Sequence, residues 1–267
     1  MNGDARTPIV FFGHGSPTNA LETNMCTQNW GRIARTIGSP KAILSISAHW
    51  YTRDTSVTAM TKPRTIHDFG RTLPAALFDI QYPAPGAPAL AERIRDLLAP
   101  TKVQLDNSWG LDHGTWSVLL KAFPQADIPV VQLSLDATKP TSWHFDLGRR
   151  LKPLRDEGIL IMGSGNVVHN LSLMDWDLHS EPYDWATRFN NQVKDAILNN
   201  DPESLFDYES LGRDAMLSVP SPDHYWPLFY VLGARHDTDR VTIDPDHVQH
   251  KSLSMMSVLF DDRPLTA

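Results

Sequence analysis

Short apolar runs alternate with longer stretches of helical spacing along this chain of 267 residues. The runs that read as buried strands are rich in β-branched and aliphatic residues, and they include "TPIVFFG", "KAILSISAH", "IPVVQLSL" and "ILIMGSG". Between two of them, "APALAERIRDLLAP" places Leu90, Ile94 and Leu97 on one helix face. Because strands that alternate with helices pack in three layers, the pattern predicts an α/β fold. We expect a single α/β/α domain over residues 1–267 with a central mixed, largely parallel sheet.

The sequence also predicts the bounds of several further segments. Helical spacing indicates a helix over residues 19–37 and another along "TSWHFDLGRRLKPLRDEG", while "SLSMMSVLF" reads as the last strand. The proline-rich stretch from Pro74 to Pro88 is predicted to be a long surface loop, and loops of that length often act as lids.

Charge and cysteine content exclude several classes of protein. The formal net charge is −7 and no basic cluster occurs, so we expect neither nucleic acid nor a membrane surface as a partner. Cys26 is the one cysteine and cannot form an internal disulfide, which favours a reducing compartment. The first residues lack the apolar core of a signal peptide, and no apolar run is long enough to span a membrane. We therefore expect a cytoplasmic protein.

Four of the 11 histidines fall where an α/β sheet places its ligands, and a fifth stands at the start of a predicted helix. His14 follows "IVFFG", His49 follows "AILSISA", and His169 comes soon after "ILIMGSG". His113 lies between "KVQLD" and a predicted helix, and His224 begins an apolar helical segment. The carboxyl ends of parallel strands meet at one edge of a sheet, and ligands bind there. Histidine is a common metal ligand and proton carrier, so the pattern indicates a catalytic site.

Histidines that come from separate strand ends suit a catalytic metal better than a zinc finger, which needs closely spaced Cys and His pairs. HExxH is also absent from the sequence. About three protein ligands with open positions would leave room for water, substrate or O₂. His14 and His49 are the best first two ligands, and the third is either His224 or the neighbouring Asp223.

Six motifs in one order resemble the class III extradiol ring-cleaving dioxygenases, in particular the branch of the DOPA 4,5-dioxygenase type. They are "FFGHGSPTNALE", "ILSISAHW", "IHDFG", "LDHGTWSVL", "GSGNVVHNL" and "PDHYWPLFYVLGA". The resemblance runs from residue 8 to the strand "SLSMMSVLF". It implies a non-haem Fe(II) oxidoreductase that opens the ring of a small catechol, DOPA-like or otherwise, and incorporates both atoms of O₂.

The resemblance also implies roles for the histidines. His14, His49 and His224 would bind the metal, His169 would be the acid and base, and His113 would hydrogen-bond substrate or oxygen. Related protocatechuate 4,5-dioxygenases use a glutamate where His224 stands here. A neutral three-histidine set also suits Zn(II), so zinc is a second metal to expect in the purified protein.

Two other functions stay open at this point. One is a zinc-dependent hydrolase on the same scaffold, and the other is a non-catalytic descendant, which the presence of His169 disfavours. The sequence assigns neither the catechol, the regiochemistry nor the oligomeric state. Candidates to bind a substrate carboxylate are Arg64, Arg71 and Arg235, and candidates to line the pocket are Trp50, Tyr51, Trp116, Tyr225 and Trp226.

Overall fold

A mixed sheet forms the centre of the computed structural model, which describes residues 6–177 and 180–262. In chain order, its strands and those of a small second sheet are β1 (Ile9–Gly13), β2 (Ala42–Thr52), β3 (Thr55–Thr58), β4 (Val103–Asp106), β5 (Val130–Asp136), β6 (Ile159–Gly165), β7 (Arg240–Ile243), β8 (Val248–Gln249), β9 (Leu253–Ser254) and β10 (Val258–Asp261). Within the described residues, eight strands make the main sheet in the order β4-β3-β5-β2-β6-β1-β10-β7, while β8 and β9 pair separately.

The four central strands of the main sheet run parallel. The pairs β5–β2, β2–β6 and β6–β1 are parallel, as is the outer pair β3–β4, whereas β10 and β7 add antiparallel strands at the other edge. β3 meets β5 in an antiparallel contact. The predicted mixed sheet is therefore confirmed, and the carboxyl ends of β2, β6 and β1 lie side by side.

Helices cover both faces of the sheet. They are α1 (Met25–Ile37), α2 (Pro88–Leu97), α3 (His113–Ala122), α4 (Thr141–Leu151), α5 (Asp184–Leu198), α6 (Arg213–Ser218) and α7 (Pro227–Ala234). Alternation along β1 sends Ile9 and Phe11 into one core and Val10 and Phe12 into the other. The first core is filled from α2, α4, α5 and α7, and the second from α1 and α3. These two cores confirm the α/β/α arrangement.

The structure moves two of the predicted helix bounds. The segment predicted as a helix over residues 19–37 opens with a 3₁₀ turn, Pro17–Ala20, and α1 starts only at Met25. The cause is Asn24, whose side chain accepts the Thr27 N–H and caps the helix. The predicted helix "TSWHFDLGRRLKPLRDEG" ends at Leu151 and continues as a 3₁₀ turn, because Pro153 lacks an N–H.

The last predicted strand is interrupted. "SLSMMSVLF" contains β9 and β10, and residues 255–257 between them leave the strand conformation. These residues pass so close to Gly13 that a Cβ there would lie 2.6 Å from the carbonyl carbon of Met255. The stretch from Pro74 to Pro88 also departs from a plain surface loop, because Leu77 and Tyr82 are buried in the second core.

Across the described ranges, 6–177 and 180–262, no helix combines the length and the apolar character that crossing a membrane requires.

Candidate metal centre and active site

Three histidines meet above the carboxyl ends of the central strands. His14 directly follows β1, and its backbone N–H donates to the Gly165 carbonyl at the end of β6. His224 closes a 3₁₀ turn, Pro222–His224, and its carbonyl accepts the N–H of Asn166. The chain leaves His14 through Gly15, whose φ of +61° is one that a side chain would disfavour.

His49 lies within β2 and not after it, contrary to the prediction that the strand ends there. β2 continues to Thr52, and its register against β5 shifts between Ile46 and Tyr51. Such irregularities let a strand turn a side chain out of its regular alternation, as strands often do beside active sites. The sequence pattern does not indicate this shift in register. His49 could therefore be predicted as a site residue only because it is a histidine.

The ring nitrogens of His14, His49 and His224 converge. One nitrogen from each ring lies within 4.8 Å of those of the other two, and the Nε2 atoms of His14 and His49 are 3.2 Å apart. Two nitrogens on a tetrahedral metal at a bond length of about 2.0–2.1 Å would be separated by about 3.4 Å. The spacing therefore fits a shared metal ion. Asp223 is not part of this group, so the geometry favours His224 as the third donor.

Hydrogen bonds on the outer side of two rings fix which nitrogen faces the cavity. Nδ1 of His14 lies 3.0 Å from Oγ of Ser164, which donates its own proton to the carbonyl of Gly114. Ser164 must therefore accept from Nδ1–H, and Nε2 of His14 keeps its lone pair. Nδ1 of His224 donates to Asp223 in the same way. Partners of this kind orient metal-binding histidines and raise their basicity.

The environment keeps His14 and His49 neutral. Burial lowers the pKa of His14 and of His49 well below the ordinary value, and the neighbouring histidines lower both further. Burial alone would raise the pKa of Asp223, but the hydrogen bond from His224 outweighs it and the pKa is lowered. Neutral imidazoles with their lone pairs turned inward are suitable ligands for zinc, iron, copper or nickel. The residues present fit a divalent transition metal.

Asp68, from the motif "IHDFG", connects His113 to this centre. One carboxylate oxygen accepts the backbone N–H of His113 at 2.9 Å, and the other lies 3.0 Å from Nδ1 of His113 and 3.6 Å from Nδ1 of His49. The contact between Nδ1 of His113 and Asp68 does not have the geometry of a hydrogen bond, so it is mainly electrostatic. Burial would raise the pKa of Asp68, yet His113 lowers it overall.

A fully buried carboxylate supports His49 through the hydroxyl of Ser47. Asp112 caps α3 through the N–H of Thr115 and accepts a 2.7 Å hydrogen bond from Ser47, whose hydroxyl also accepts the N–H of His49. Burial, followed by the charge of Asp68, raises the pKa of Asp112 to about 6. The sequence predictions did not include Asp68 or Asp112. The one available signal was that each stands beside a histidine motif.

His169 stacks on His224. Their ring centroids are 3.5 Å apart and the planes differ by 5°. The backbone holds this position, because the His169 N–H donates to Ser218 and the residue bridges to Leu253. Burial, and then the neighbouring His224, lowers the pKa of His169 to about 2. The structure thus brings all five predicted histidines together, four on the sheet edge and one on the turn before α7.

A cavity of about 450 Å³ opens over the five histidines, within the range typical of small-molecule sites. Its other walls are largely apolar and comprise Gly15, Ser16, Pro17, Asp68, Phe69, Gly70, Leu73, Leu171, Met174, Trp176 and Leu253. None of these lining residues is an arginine or lysine. Arg64 and Arg235 are held elsewhere by backbone carbonyls, and Arg71 lies outside the lining.

The aromatic candidates also lie outside the lining. Trp50 stacks on Trp109, Trp116 and Tyr225 are fully buried core residues, and Trp226 lies against Tyr51. The structure therefore replaces them with Phe69 and Trp176, which the sequence predictions did not name.

Comparison with known proteins identifies the class that this fold and site define. Residues 7–261 match the family described as the catalytic LigB subunit of aromatic ring-opening dioxygenase, and the chain belongs to that family. Within it the chain is of the DOPA 4,5-dioxygenase type of extradiol ring-cleaving dioxygenases, as the motifs predicted.

Its relatives cover nearly the whole chain. A protein of Escherichia coli K12 named "4,5-DOPA dioxygenase extradiol" is 52% identical over 257 residues, which span 95% of this chain and 94% of that one. A protein of Beta vulgaris with the same name is 37% identical over 87% of this chain and 88% of its own. The crystal structure of uncharacterized protein JW3007 from Escherichia coli K12 superposes with a TM-score of 0.83 and 46% identity, covering 95% of this chain and 99% of that one. These matches confirm the predicted enzyme class.

Proposed function

We propose that the chain is a non-haem Fe(II) dioxygenase that opens the ring of a small catechol with O₂. The observation that carries the proposal is the convergence of His14, His49 and His224 at the floor of a cavity with His169 stacked beside them. In this proposal His14, His49 and His224 hold the metal. A bound Fe(II) supplies Lewis acidity toward the two catechol oxygens and the redox chemistry that O₂ requires.

His169 is the proposed acid and base. Its low pKa keeps the ring unprotonated at neutral pH, so it is ready to accept a proton from a catechol hydroxyl. The negative charge that develops on the substrate raises the proton affinity of a ring held next to it. His169 can then return the proton as the ring opens. The stack on His224 holds the imidazole in one orientation through both transfers.

His113 is the proposed hydrogen-bonding residue. Asp68 contacts its backbone N–H and its Nδ1, which fixes the ring at the start of α3 and leaves Nε2 for substrate or oxygen. The ring centroids of His49 and His113 are 3.8 Å apart, which supports a role for His113 beside the proposed metal ligands.

The proposed substrate is a catechol of the DOPA kind, which the name shared by the relatives supports. A cavity of about 450 Å³ accommodates one substituted ring, and its apolar walls suit an aromatic ring. We further propose that residues 1–267 act as one catalytic domain in the cytoplasm, with no nucleic acid or membrane partner.

A zinc-dependent hydrolase is the second candidate, because three histidine nitrogens can also form a catalytic zinc site. Oxygen uptake after anaerobic loading with Fe(II) separates the two, using L-DOPA, dopamine and 4-methylcatechol with metal-free and zinc-loaded protein as controls. We expect uptake that requires both iron and a catechol, together with a yellow ring-opened product. Stoichiometric iron without uptake on any catechol would favour the hydrolase, and a panel of esters and amides with the zinc form would then test it.

A further inference from the structure

A second cavity, with mostly polar lining residues, adjoins the first. This second cavity has a volume of about 250 Å³ and shares Ser16 and Trp176 with the first as common walls. Trp176 is 61% exposed, so its ring is not packed into the core. The remaining lining is polar and comprises Thr18, Asn19, Glu22, Asn24, Gln249 and His250. The second cavity is thus lined mainly by polar residues, and Trp176 belongs to both linings.

A chain of hydrogen bonds ties the polar cavity to the metal-binding group. The side-chain amide of Asn19 donates to the backbone carbonyl of His14 at 3.1 Å. The amide of Asn24 donates to Oδ1 of Asn19 at 2.8 Å and to Oε2 of Glu22 at 3.1 Å. The Glu22 carboxylate is thus held in a defined position relative to His14, although the residue itself is exposed.

Glu22 brings negative charge to this cavity without a cation of its own. Within the described residues, no Lys, Arg or His nitrogen forms an ion pair with it at 4.0 Å or less. Burial lowers the pKa of Lys121, and the charge of Glu22 partly offsets this. The carboxylate faces a polar space next to an exposed indole ring, and both groups attract an ammonium ion.

We propose that the polar cavity is the subsite for the ammonium group of a catechol amine or amino acid, with Glu22 as its counter-charge. This inference rests on the proposed function, because it places the catechol ring over His14, His49 and His224. The substituent opposite the two hydroxyls then leaves the first cavity past Trp176. The first cavity offers its own carboxylate, Asp68, but that group already contacts His113 and lies on the side of the metal-binding histidines.

Substitution of Glu22 tests the subsite when substrates with and without an ammonium group are compared. We expect Glu22→Gln to raise KM about fivefold for L-DOPA and dopamine, the effect of losing one partly exposed charge pair. The kcat should hold, because the contact is the same in the ground and transition states. KM should change less than about twofold for 3-(3,4-dihydroxyphenyl)propionate and 4-methylcatechol, which lack the ammonium group. Glu203→Gln, an exposed residue on a distant 3₁₀ turn, removes the same charge and serves as the matched control.

The outcomes separate the subsite from the proposed function. Suppose that wild-type protein opens 4-methylcatechol but Glu22→Gln changes the KM of all four substrates equally, or of none. The subsite proposal is then wrong and the dioxygenase proposal stands. Wild-type turnover of 4-methylcatechol without turnover of L-DOPA or dopamine also overturns the subsite. If iron-loaded wild type opens no catechol at all, both proposals fail together.

Discussion

The imidazole rings of the site differ in what holds them in place. His14 and His224 are fixed by hydrogen bonds to Ser164 and Asp223 on the sides away from the cavity. His169 instead is held by its backbone and by the stack on His224. Its ring nitrogens make no hydrogen bond within the described part of the chain. A ring that is positioned but chemically free is suited to transferring protons, whereas the other two are suited to binding a metal.

His169→Ala tests this division of roles. We expect the variant to bind iron as the wild type does but to lose turnover on the order of 10²–10⁴-fold, the usual contribution of a general acid or base. Metal analysis combined with steady-state oxygen uptake measures both properties. His236→Ala is the control, because this histidine lies on the loop after α7 and does not line the cavity. Full activity in His169→Ala would remove the residue from the mechanism, and loss of iron would make it a ligand.

Individual residues also show where sequence reasoning reaches and where it stops. His14, His113 and His169 follow strands, so their shared position could be predicted from the parallel sheet. Asp68 could not be placed, since it belongs to a loop and reaches the site through its contacts with His113 and His49. Ser164 lies inside an apolar strand, where its hydroxyl looks like any buried serine. Contacts between elements distant in sequence leave no periodic signal.

At the scale of elements, β6 joins the two parts of the candidate metal centre. Gly165 accepts the N–H of His14 through its carbonyl, and the next residue donates to the carbonyl of His224. A side chain at Gly165 would collide with that same carbonyl of His224. The carbonyl cannot simply move away, because it accepts the Asn166 N–H. Close packing of β6 on the turn before α7 therefore sets the position of one proposed ligand relative to another.

Gly165→Ala should weaken both the fold and the site. We expect a loss of about 1–3 kcal/mol in the free energy of unfolding, as for other overpacked positions, and lower metal affinity as the turn shifts. Urea unfolding of metal-free protein and a competitive metal titration measure the two effects. Gly31→Ala is the control, because a Cβ in the middle of α1 would meet its nearest atom at an ordinary 3.5 Å. Unchanged metal affinity in Gly165→Ala would show that the turn adjusts independently of β6.

The elements themselves were more predictable than their bounds. Buried strands such as β1 and β6 are continuous apolar runs, and that signal is local. The break between β9 and β10 depends on close contact with Gly13, a residue more than 240 positions away, and no local pattern records it. The extension of β2 past His49 has the same origin, since its register is set by pairing with β5.

At the scale of the whole molecule, one buried ion pair joins distant parts of the chain at the end of the sheet opposite the site. Arg155 contacts both carboxylate oxygens of Asp239, at 2.6 and 3.0 Å, and its side chain is 1% exposed. The same guanidinium donates to the carbonyl of Thr7, just before β1, and to that of Ala234, at the end of α7. The first strand, the 3₁₀ turn after α4 and the last helix are thus fastened together.

Arg155→Met should be strongly destabilising, because it leaves the Asp239 carboxylate buried without a partner. Removing one member of a buried pair typically costs about 3–5 kcal/mol. Adding Asp239→Leu should recover part of that loss, since a buried ion pair can often be replaced by apolar residues. Arg6→Met is the control, as its pair with Asp156 is partly exposed and its loss is expected to cost less than about 1 kcal/mol. Equal urea midpoints for Arg155→Met and Arg6→Met would contradict this role.

The same pair predicts how stability responds to acid. Burial alone would raise the pKa of Asp239, but the hydrogen bonds and charge of Arg155 outweigh it, and the folded-state pKa lies below the ordinary 3.8. The folded protein therefore binds this proton less readily than the unfolded chain does. The stability that Asp239 contributes is fully present above a pH of about 4 and is lost as the pH falls through the folded-state pKa.

Asp239→Asn isolates that contribution, because other acidic groups with lowered pKa values affect both proteins alike. We expect the wild type to exceed the variant in free energy of unfolding by a constant amount from a pH of about 7 down to about 5, and the two curves to converge below about 4. Urea titrations of metal-free protein across that range measure the gap and keep ligand protonation out of the comparison. A gap that stayed constant down to the lowest pH would mean that the Asp239 pKa is equal in the folded and unfolded states. The Arg155–Asp239 pair would then stabilise the fold by packing and not by charge.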